Sequence, residues 1–556
     1  MNKNGLIYDV EDKPKISELI IFAFQQVLAI LSATMLVPSL IGLPTQIPAA
    51  ILGAGVGTIV YLLFTKFKSP VFLGSSFAFI SPLIGAVSFG FCGILVGSIF
   101  AGLVYVIIAV VIHFAGTKWV SKLMPPVIIG PTVALIGLSL AGSAMSSIVS
   151  ADKSAINGAY NLVALLCGLV AFITIVICSS QKKFKTMKLI PFIIGIGAGY
   201  LCAAIFSIFG YALKVDYLKI INWTPLVDNF VKDGKFVGIT AFLNYPRFGL
   251  IEAIKEMAGV DGAKVLLTGA GVAELAIAFI PVALVVFAEH IADHKNLGSI
   301  IGRDLVEGEP GLKRTLLGDG VGSIAGTIFG ICPNTTYGES VGCVAITKNA
   351  SIRSIFVAAI MCIVLSFLSP IMALLQTIPS CVMGGVCLTL YGFIAVSGLK
   401  MFKDIDLGEN KNLFTVSAIL IAGIGGLSIQ IPYALYKSNV AAEGINALGE
   451  KFELFSKAND GTLSPIFTAL KGQPEKVITI SAIATALILG ICVYAIMNAL
   501  EKKNAEIAPE EGDAKAPESL VAGAVAPNAS FELKGEEVAE EAAPEAVAED
   551  AAESKE

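Results

Sequence analysis

The chain is a succession of long apolar stretches, about 14 in all, near residues 16–41, 46–66, 71–89, 90–114, 119–146, 159–179, 186–210, 266–292, 311–331, 333–347, 351–376, 380–399, 411–436 and 477–500. A membrane-spanning helix needs about 20 mostly apolar residues, because the bilayer interior holds no water to satisfy a bare backbone. The pattern therefore predicts an all-α polytopic membrane protein. Two runs differ from the rest. One contains PVFLGSSFAFISP, at residues 70–82, and the other is PNTTYGESVGCVAIT, at residues 333–347; both are short, rich in small or polar residues and marked by Pro and Gly. Neither suits a lipid-facing helix. Irregular backbone at membrane depth is tolerated beside protein or a cavity, and interrupted segments at matching places in two halves point to a transporter's binding site. These are the third and tenth runs, and their odd offset turns the second copy upside down relative to the first, as an inverted repeat requires.

Composition sharpens this picture. Of 556 residues, 55% are hydrophobic and only 15% charged, and the mean hydropathy is +0.81. Soluble domains carry roughly a quarter charged residues, so most soluble enzymes are excluded. The ten cysteines sit mostly inside apolar runs without the paired spacing of a zinc site, and are expected to be small buried hydrophobes. The N-terminus MNKNGLIYDVEDKPK lacks the basic, apolar and small-residue order of a cleaved signal, so the first run should stay in the mature protein.

The net charge of -5 is the sum of two unlike parts. Residues 501–556 hold 16 acidic residues and 5 lysines, or -11, which leaves +6 on the first 500 residues. Low hydrophobicity with high net charge predicts a disordered acidic tail. Lys and Arg concentrate on the cytoplasmic side of short connections. Here they fall in the even-numbered ones: Lys66 and Lys68; Lys118 and Lys122; Lys182, Lys183, Lys185 and Lys188; Lys295, Arg303, Lys313 and Arg314; Lys348 and Arg353; Lys400, Lys403 and Lys411. The odd connections 42–45, 89–91, 332 and 377–379 have none. Both termini are then cytoplasmic in a plasma-membrane protein. The organisation is a cytoplasmic N-terminus over 1–15, a first repeat of seven segments over 16–210, an extracellular loop over 211–265, a second repeat over 266–500 and the tail over 501–556.

Ionisable groups inside spans are costly, and each is a functional hypothesis by default. The densest set is FAEHIADHKN, where Glu289, His290, Asp293 and His294 close the eighth run. Glu289 and Asp293 are four apart and share one helix face. Two carboxylates that near cannot easily both be ionised in a poorly solvated site, so one is a candidate proton holder. The competing reading is a helix that ends there in cytoplasmic water. Glu339, between Gly338 and Gly342 in a non-helical segment, can face a cavity while nearby backbone N–H groups stay free for a ligand; a structural ion pair is the alternative. Asp319, between Gly318 and Gly320, remains open. Gln25 and Gln26 suit either a ligand or a neighbouring helix. Glu252 and Glu256 fall in the external loop, with no expected part in transport. There is no P-loop, HExxH or Ser/His/Asp arrangement. The chain is thus expected to be no enzyme and to use no cofactor, metal or nucleic acid; its partners are the lipid bilayer and a transported solute.

At these residues the sequence resembles the nucleobase-ascorbate transporter family, the nucleobase:cation symporters-2, in its uracil permease branch. The resemblance covers residues 16 to 500 and is carried by LSATMLVPSLIG, FLGSSFAFISP, AEH and GDGVGSIAGTIFGICPNTTYGESVGCVAITK. Glu339, Gly342, Thr347 and Lys348 meet the family signature. The resemblance implies 14 transmembrane segments as a 7+7 inverted repeat, with segments 1–4 and 8–11 as a core domain, 5–7 and 12–14 as a gate domain, and short antiparallel strands in segments 3 and 10. It implies that Glu289 and Glu339 bind a pyrimidine, together with backbone amides at Phe77 and Gly338. Phe77 or Tyr337 packs on the ring, Tyr391 is a gate aromatic, the proton is the coupling ion, and a homodimer through the gate domain is the candidate assembly. Uracil offers two N–H donors and two carbonyl acceptors in one plane, which carboxylates and main-chain amides complement. Three positions depart from the pattern: Gln26 and Asp293 stand where relatives have histidines, and Ser340 replaces an Asn. His290 is not assigned the missing histidine's role, though it stays a candidate for proton coupling. The implied activity is uracil import by proton symport through alternating access. A xanthine or other purine permease of the same fold comes second, and an anion exchanger or channel on a related fold third; the last would want a cationic or neutral site where the chain puts Glu339.

Overall fold

The structure is a computed structural model that describes residues 5–150, 160–181, 187, 191–232, 234–243, 245–260, 267–432, 455–457, 463–465 and 477–507. It falls into two units, Met1–Ala499 and Leu500–Glu556. The described part of the second unit, residues 500–507, is helical. The expected disorder of the tail beyond 507, the basic cluster Lys182, Lys183, Lys185 and Lys188, and most of the 437–476 connection lie outside the described residues.

Among the described residues nine helical stretches are long and apolar enough to cross a membrane by length and composition: Ile16–Leu40, Pro44–Phe64, Gly90–Ala115, Pro126–Ile148, Leu162–Ser180, Pro191–Leu213, Gly269–Ile301, Ser380–Lys403 and Ala482–Lys503. Ile352–Ser366 and Asn410–Ile424 are shorter apolar helices. Several runs break where the sequence denies a continuous helix. The run at 119–146 becomes Lys118–Leu123, Pro126–Ser139 and Ala141–Ile148, interrupted first at the Pro125–Pro126 pair, which cannot continue a preceding helix. The run at 351–376 divides into Ile352–Ser366 and Ser369–Gln376, with Pro370 in the first turn of the second helix, where its missing N–H costs nothing.

The third and tenth runs form a strand followed by a short helix. Leu73–Ser75 leads to Ile80–Val87, and Asn334–Thr336 leads to Gly338–Thr347. The two strands pair antiparallel, Leu73 opposite Thr336, Gly74 opposite Thr335 and Ser75 opposite Asn334, and all six residues are buried. Each strand satisfies part of the other's backbone, and hydroxyls of the flanking helices take more of it: Leu73 N donates to Thr58 Oγ1 at 2.9 Å and Asn334 N to Ser323 Oγ at 3.0 Å. Bonds from Ser76 N to Pro333 O at 3.0 Å and from Tyr337 N to Phe72 O at 3.1 Å extend the ladder beyond the strands.

Small residues let the flanking helices close on this pair. Asn334 Nδ2 donates to Gly53 O at 2.9 Å, and a Cβ at Gly57 or Gly326 would come within 2.4 or 2.2 Å of that nitrogen. The helices Ile47–Phe64 and Leu312–Phe329 are thereby held against the second strand. The helix Gly269–Ile301 is 33 residues long and carries Pro281 in its interior. It continues past residue 292, where the apolar run stops, so the charged cluster lies within the helix and not at its end.

The first residues are part of the fold. Leu6 and Val10 are fully buried, Tyr8 bridges Asn349 in parallel register, and Ala350 N and Ile352 N donate to Tyr8 O and Val10 O at 2.9 and 3.0 Å. In the 211–265 loop, the helix Gly249–Ala258 packs on Gly90–Ala115, and Glu256 Oε2 accepts from Phe91 N at 2.7 Å. Glu256 thus serves a helix N-terminus that has no side-chain cap of its own. Eight of the ten cysteines are buried; Cys202 is half-buried and Cys492 exposed, contrary to the expectation for them.

Candidate functional site

The helix Gly338–Thr347 starts after Tyr337, whose backbone is extended and whose side chain caps nothing. The amide of Gly338 therefore has no partner within the helix and sits at the positive end of its dipole. Glu339 follows it in the first turn. From the other strand comes Phe77, between Ser75 and the short helix Ile80–Val87. The long helix Gly269–Ile301 supplies Glu289 and Asp293, one turn apart. These residues, with Thr335, Tyr337 and Gly342, line one cavity of about 240 Å³. The rest of its wall includes Leu28 and Ala29, Val133, Ser179, Phe192, and Phe393 and Ser397, drawn from five further helices.

One of the three carboxylates is held from behind. Thr336 Oγ1 donates to Asp293 Oδ2 at 2.8 Å, which fixes that side chain to the second strand. Tyr337 lies across Gly74, where a Cβ would come 2.3 Å from its ring, and its hydroxyl donates to Ser75 O at 2.9 Å. Burying a carboxylate without compensation is costly, so a cavity that keeps Glu289 and Glu339 half-buried and facing one space is built to receive something that bonds to them.

The sequence-predicted residues divide into two groups. Phe77, Glu289, Asp293, Tyr337, Gly338 and Glu339 are brought together at the cavity. Gln26, His290 and Tyr391 are not in its lining. Gln26 donates to Ser340 Oγ, which accepts from Phe72 N at 3.1 Å, so this glutamine joins the first helix to both interrupted segments. Tyr391 meets Phe77 edge to face, ring centroids 5.7 Å apart at 84°. His290 faces away, its Nδ1 2.7 Å from Asp319 Oδ2 and its Nε2 3.0 Å from Thr315 Oγ1. His294 is buried as well, with Nε2 2.7 Å from Tyr61 Oη. The alternative of a helix ending in water is therefore corrected for both Asp293 and His294.

Sequence reasoning missed Thr335 and Thr336, the partner of Asp319, and the wall residues Ser179, Phe393 and Ser397. The threonines stand directly before Tyr-Gly-Glu, and polar side chains on a strand buried on both faces are a usable signal. Phe393 and Ser397 are four apart on an otherwise apolar helix, a pattern that many lipid-facing positions share. Among the described residues no group of three or more His, Cys, Asp or Glu is placed to hold a metal ion. The arrangement offers carboxylate acceptors, an amide donor and aromatic rings to one small space. That set complements a planar ligand bearing both N–H and carbonyl groups.

The model of the permease family matches residues 17–431 of the chain. The uracil permease of Bacillus caldolyticus is 36% identical over 445 residues, which cover 80% of this chain and 93% of that one. The uracil permease of Bacillus subtilis (strain 168) is 36% identical over 435 residues, 78% of this chain and 91% of its own. Among solved structures, the transmembrane domain of a cyanobacterium bicarbonate transporter, BicA, aligns with a TM-score of 0.49 at 14% identity, over 75% of this chain and 98% of its own.

Proposed function

The chain belongs to this permease family, the nucleobase:cation symporters-2, and from that premise we propose that it imports uracil by proton symport through alternating access. It is a multi-pass membrane transporter and not an enzyme. The observation that carries the substrate assignment is the convergence of Glu289 and Glu339, from different elements, with the Gly338 amide on one cavity. Each carboxylate accepts an N–H of the pyrimidine, the amides at Gly338 and Phe77 donate to its carbonyls, and Phe77 and Tyr337 pack against the ring. Proton coupling follows from the same groups. A proton on Glu289 turns an acceptor into a donor, and Asp293 one turn away makes the doubly ionised pair unfavourable, so substrate and proton bind together.

The reading includes 14 transmembrane segments in two inverted sets of seven, with segments 1–4 and 8–11 as core and 5–7 and 12–14 as gate. The paired strands in the third and tenth runs support it, as does the placement of basic connections, which puts both termini in the cytoplasm. Under that orientation the cavity residues Ser179, Phe192, Ile346 and Ser397 belong to the cytoplasmic ends of their helices. The gate domain is the proposed surface for a homodimer.

The test is uptake of radiolabelled uracil in a permease-deficient strain, with and without a protonophore. Uptake should collapse with the proton gradient and with Glu339→Ala or Glu289→Gln. Uptake that survives both treatments sinks the proposal, and a purine that competes as well as unlabelled uracil moves the substrate to the purine permeases.

A further inference from the structure

Behind the cavity lies a second polar set that substrate binding does not use. His290, His294, Thr315, Asp319 and Tyr61 are all fully buried. His290 spends both ring nitrogens on the helix Leu312–Phe329, on Asp319 at 2.7 Å and Thr315 at 3.0 Å, two residues that are four apart and so share a face. His294, the next residue on the same stripe, bonds Tyr61 of the helix Ile47–Phe64 at 2.7 Å, and Tyr61 donates to Ser69 at 2.7 Å in the connection to the first strand. The two imidazoles lie 4.1 Å apart, centroid to centroid. A helix turns about 100° per residue, so Glu289 and Asp293 form one stripe and His290 and His294 the stripe beside it. The approach is close by construction, since a Cβ at Gly318 would come 3.1 Å from the Tyr61 ring and one at Gly320 would come 2.7 Å from Gly102 O.

We infer that His290 and Asp319 are a positioning pair for the transport site: their bond fixes the rotation of the helix Gly269–Ile301, so that Glu289 and Asp293 point into the cavity. Apolar packing alone tolerates small rotations of a helix, because dispersion contacts are non-directional. A hydrogen bond between two fully buried groups is directional, and a slip of the helix would leave both unpaired in a place where that is costly. The pair touches neither substrate nor cavity, and acts only through the two carboxylates. The inference rests on the reading of Glu289 and Glu339 as substrate ligands.

The experiment is uracil binding to purified full-length protein in detergent, measured per folded molecule, alongside uptake kinetics. The double variant His290→Leu/Asp319→Leu leaves no lone buried charge, so it should fold. It should bind uracil about ten- to a hundredfold more weakly, the cost of acids displaced by a fraction of an ångström to an ångström, with KM raised more than kcat is lowered. His290→Asn keeps a donor where Nδ1 stood and should restore affinity relative to His290→Ala. Wild-type affinity in the folded double variant overturns the inference. If the double variant does not fold, equal affinities for His290→Asn and His290→Ala overturn it. Glu289→Gln and Glu339→Gln separate the two levels: unchanged binding in those variants removes the substrate-site reading itself, whereas lost binding there beside a normal double variant removes only the positioning pair.

Discussion

Single residues set the dimensions of the site, and Gly74 is the sharpest case. It lies opposite Thr335 in the strand pair, and a Cβ there would meet the Tyr337 ring at 2.3 Å, too close for any rotamer adjustment of a residue hydrogen-bonded at its far end to Ser75. Overpacking a buried site costs about 1–3 kcal/mol, and here the strain falls on the residue that precedes Gly338 and Glu339. Gly74→Ala is therefore expected to lower the thermal midpoint in detergent and to weaken uracil binding, read together on one preparation; a variant with normal binding would show that Tyr337 does not set the position of the amide after it. This level was half legible. Glu289, Asp293 and Glu339 stood out because charge inside an apolar run has no cheap explanation. What could not be read was which way each neighbour faces. His290 and Asp319 are 29 residues apart in the chain and meet only through the packing of two helices, and Gln26 finds Ser340 across 314 positions. Side-chain type was visible, whereas pairing was not.

At the level of elements, the paired strands and the first residues of the chain both bind segments that are distant in sequence. The interrupted runs announced themselves through Pro, Gly and polar residues, and their two short strands occupy those stretches. The N-terminal segment gave a weaker signal. Its alternation Leu6, Tyr8, Val10 is a period of two lasting only five residues, inside a stretch whose overall character is polar, so the sequence alone places it in a cytoplasmic N-terminus outside the repeats. In the structure it runs along Lys348–Ile352, just after the helix that carries Glu339, and Arg303, just after the helix that carries Glu289, reaches Asp9 at 3.2 Å and Glu11 at 3.6 Å. The ion pairs are partly exposed and contribute little. Leu6 and Val10 decide the matter, at about 1.5–3 kcal/mol for each fully buried side chain. Removing residues 1–10 should thus lower the thermal midpoint clearly, whereas Arg303→Ala should leave it almost unchanged. The reverse order in a melting series would assign the clasp to its charges.

On the scale of the whole molecule the decisive quantity is where charge is placed, since the net charge of -5 describes neither part of the chain. Residues 508–556 alone carry 14 acidic residues and 3 lysines, so removing them changes the net charge from -5 to +6. A change that large would matter if transport depended on the general field of the protein. It is expected not to, because the cavity is lined by residues of the first unit alone, whose own carboxylates meet the ligand by direct contact. Local groups at the site, half-buried and close to one another, act at far shorter range. Truncation after Ile507 is therefore expected to leave the KM for uracil and its pH dependence unchanged, measured in cells with expression normalised by quantitative immunoblot. The contrasting variant is Glu339→Gln, which changes the net charge by a single unit and should nearly abolish uptake. A truncated protein with a shifted KM, beside a Glu339→Gln variant that still transports, would place control of the substrate in the tail and not in the paired segments.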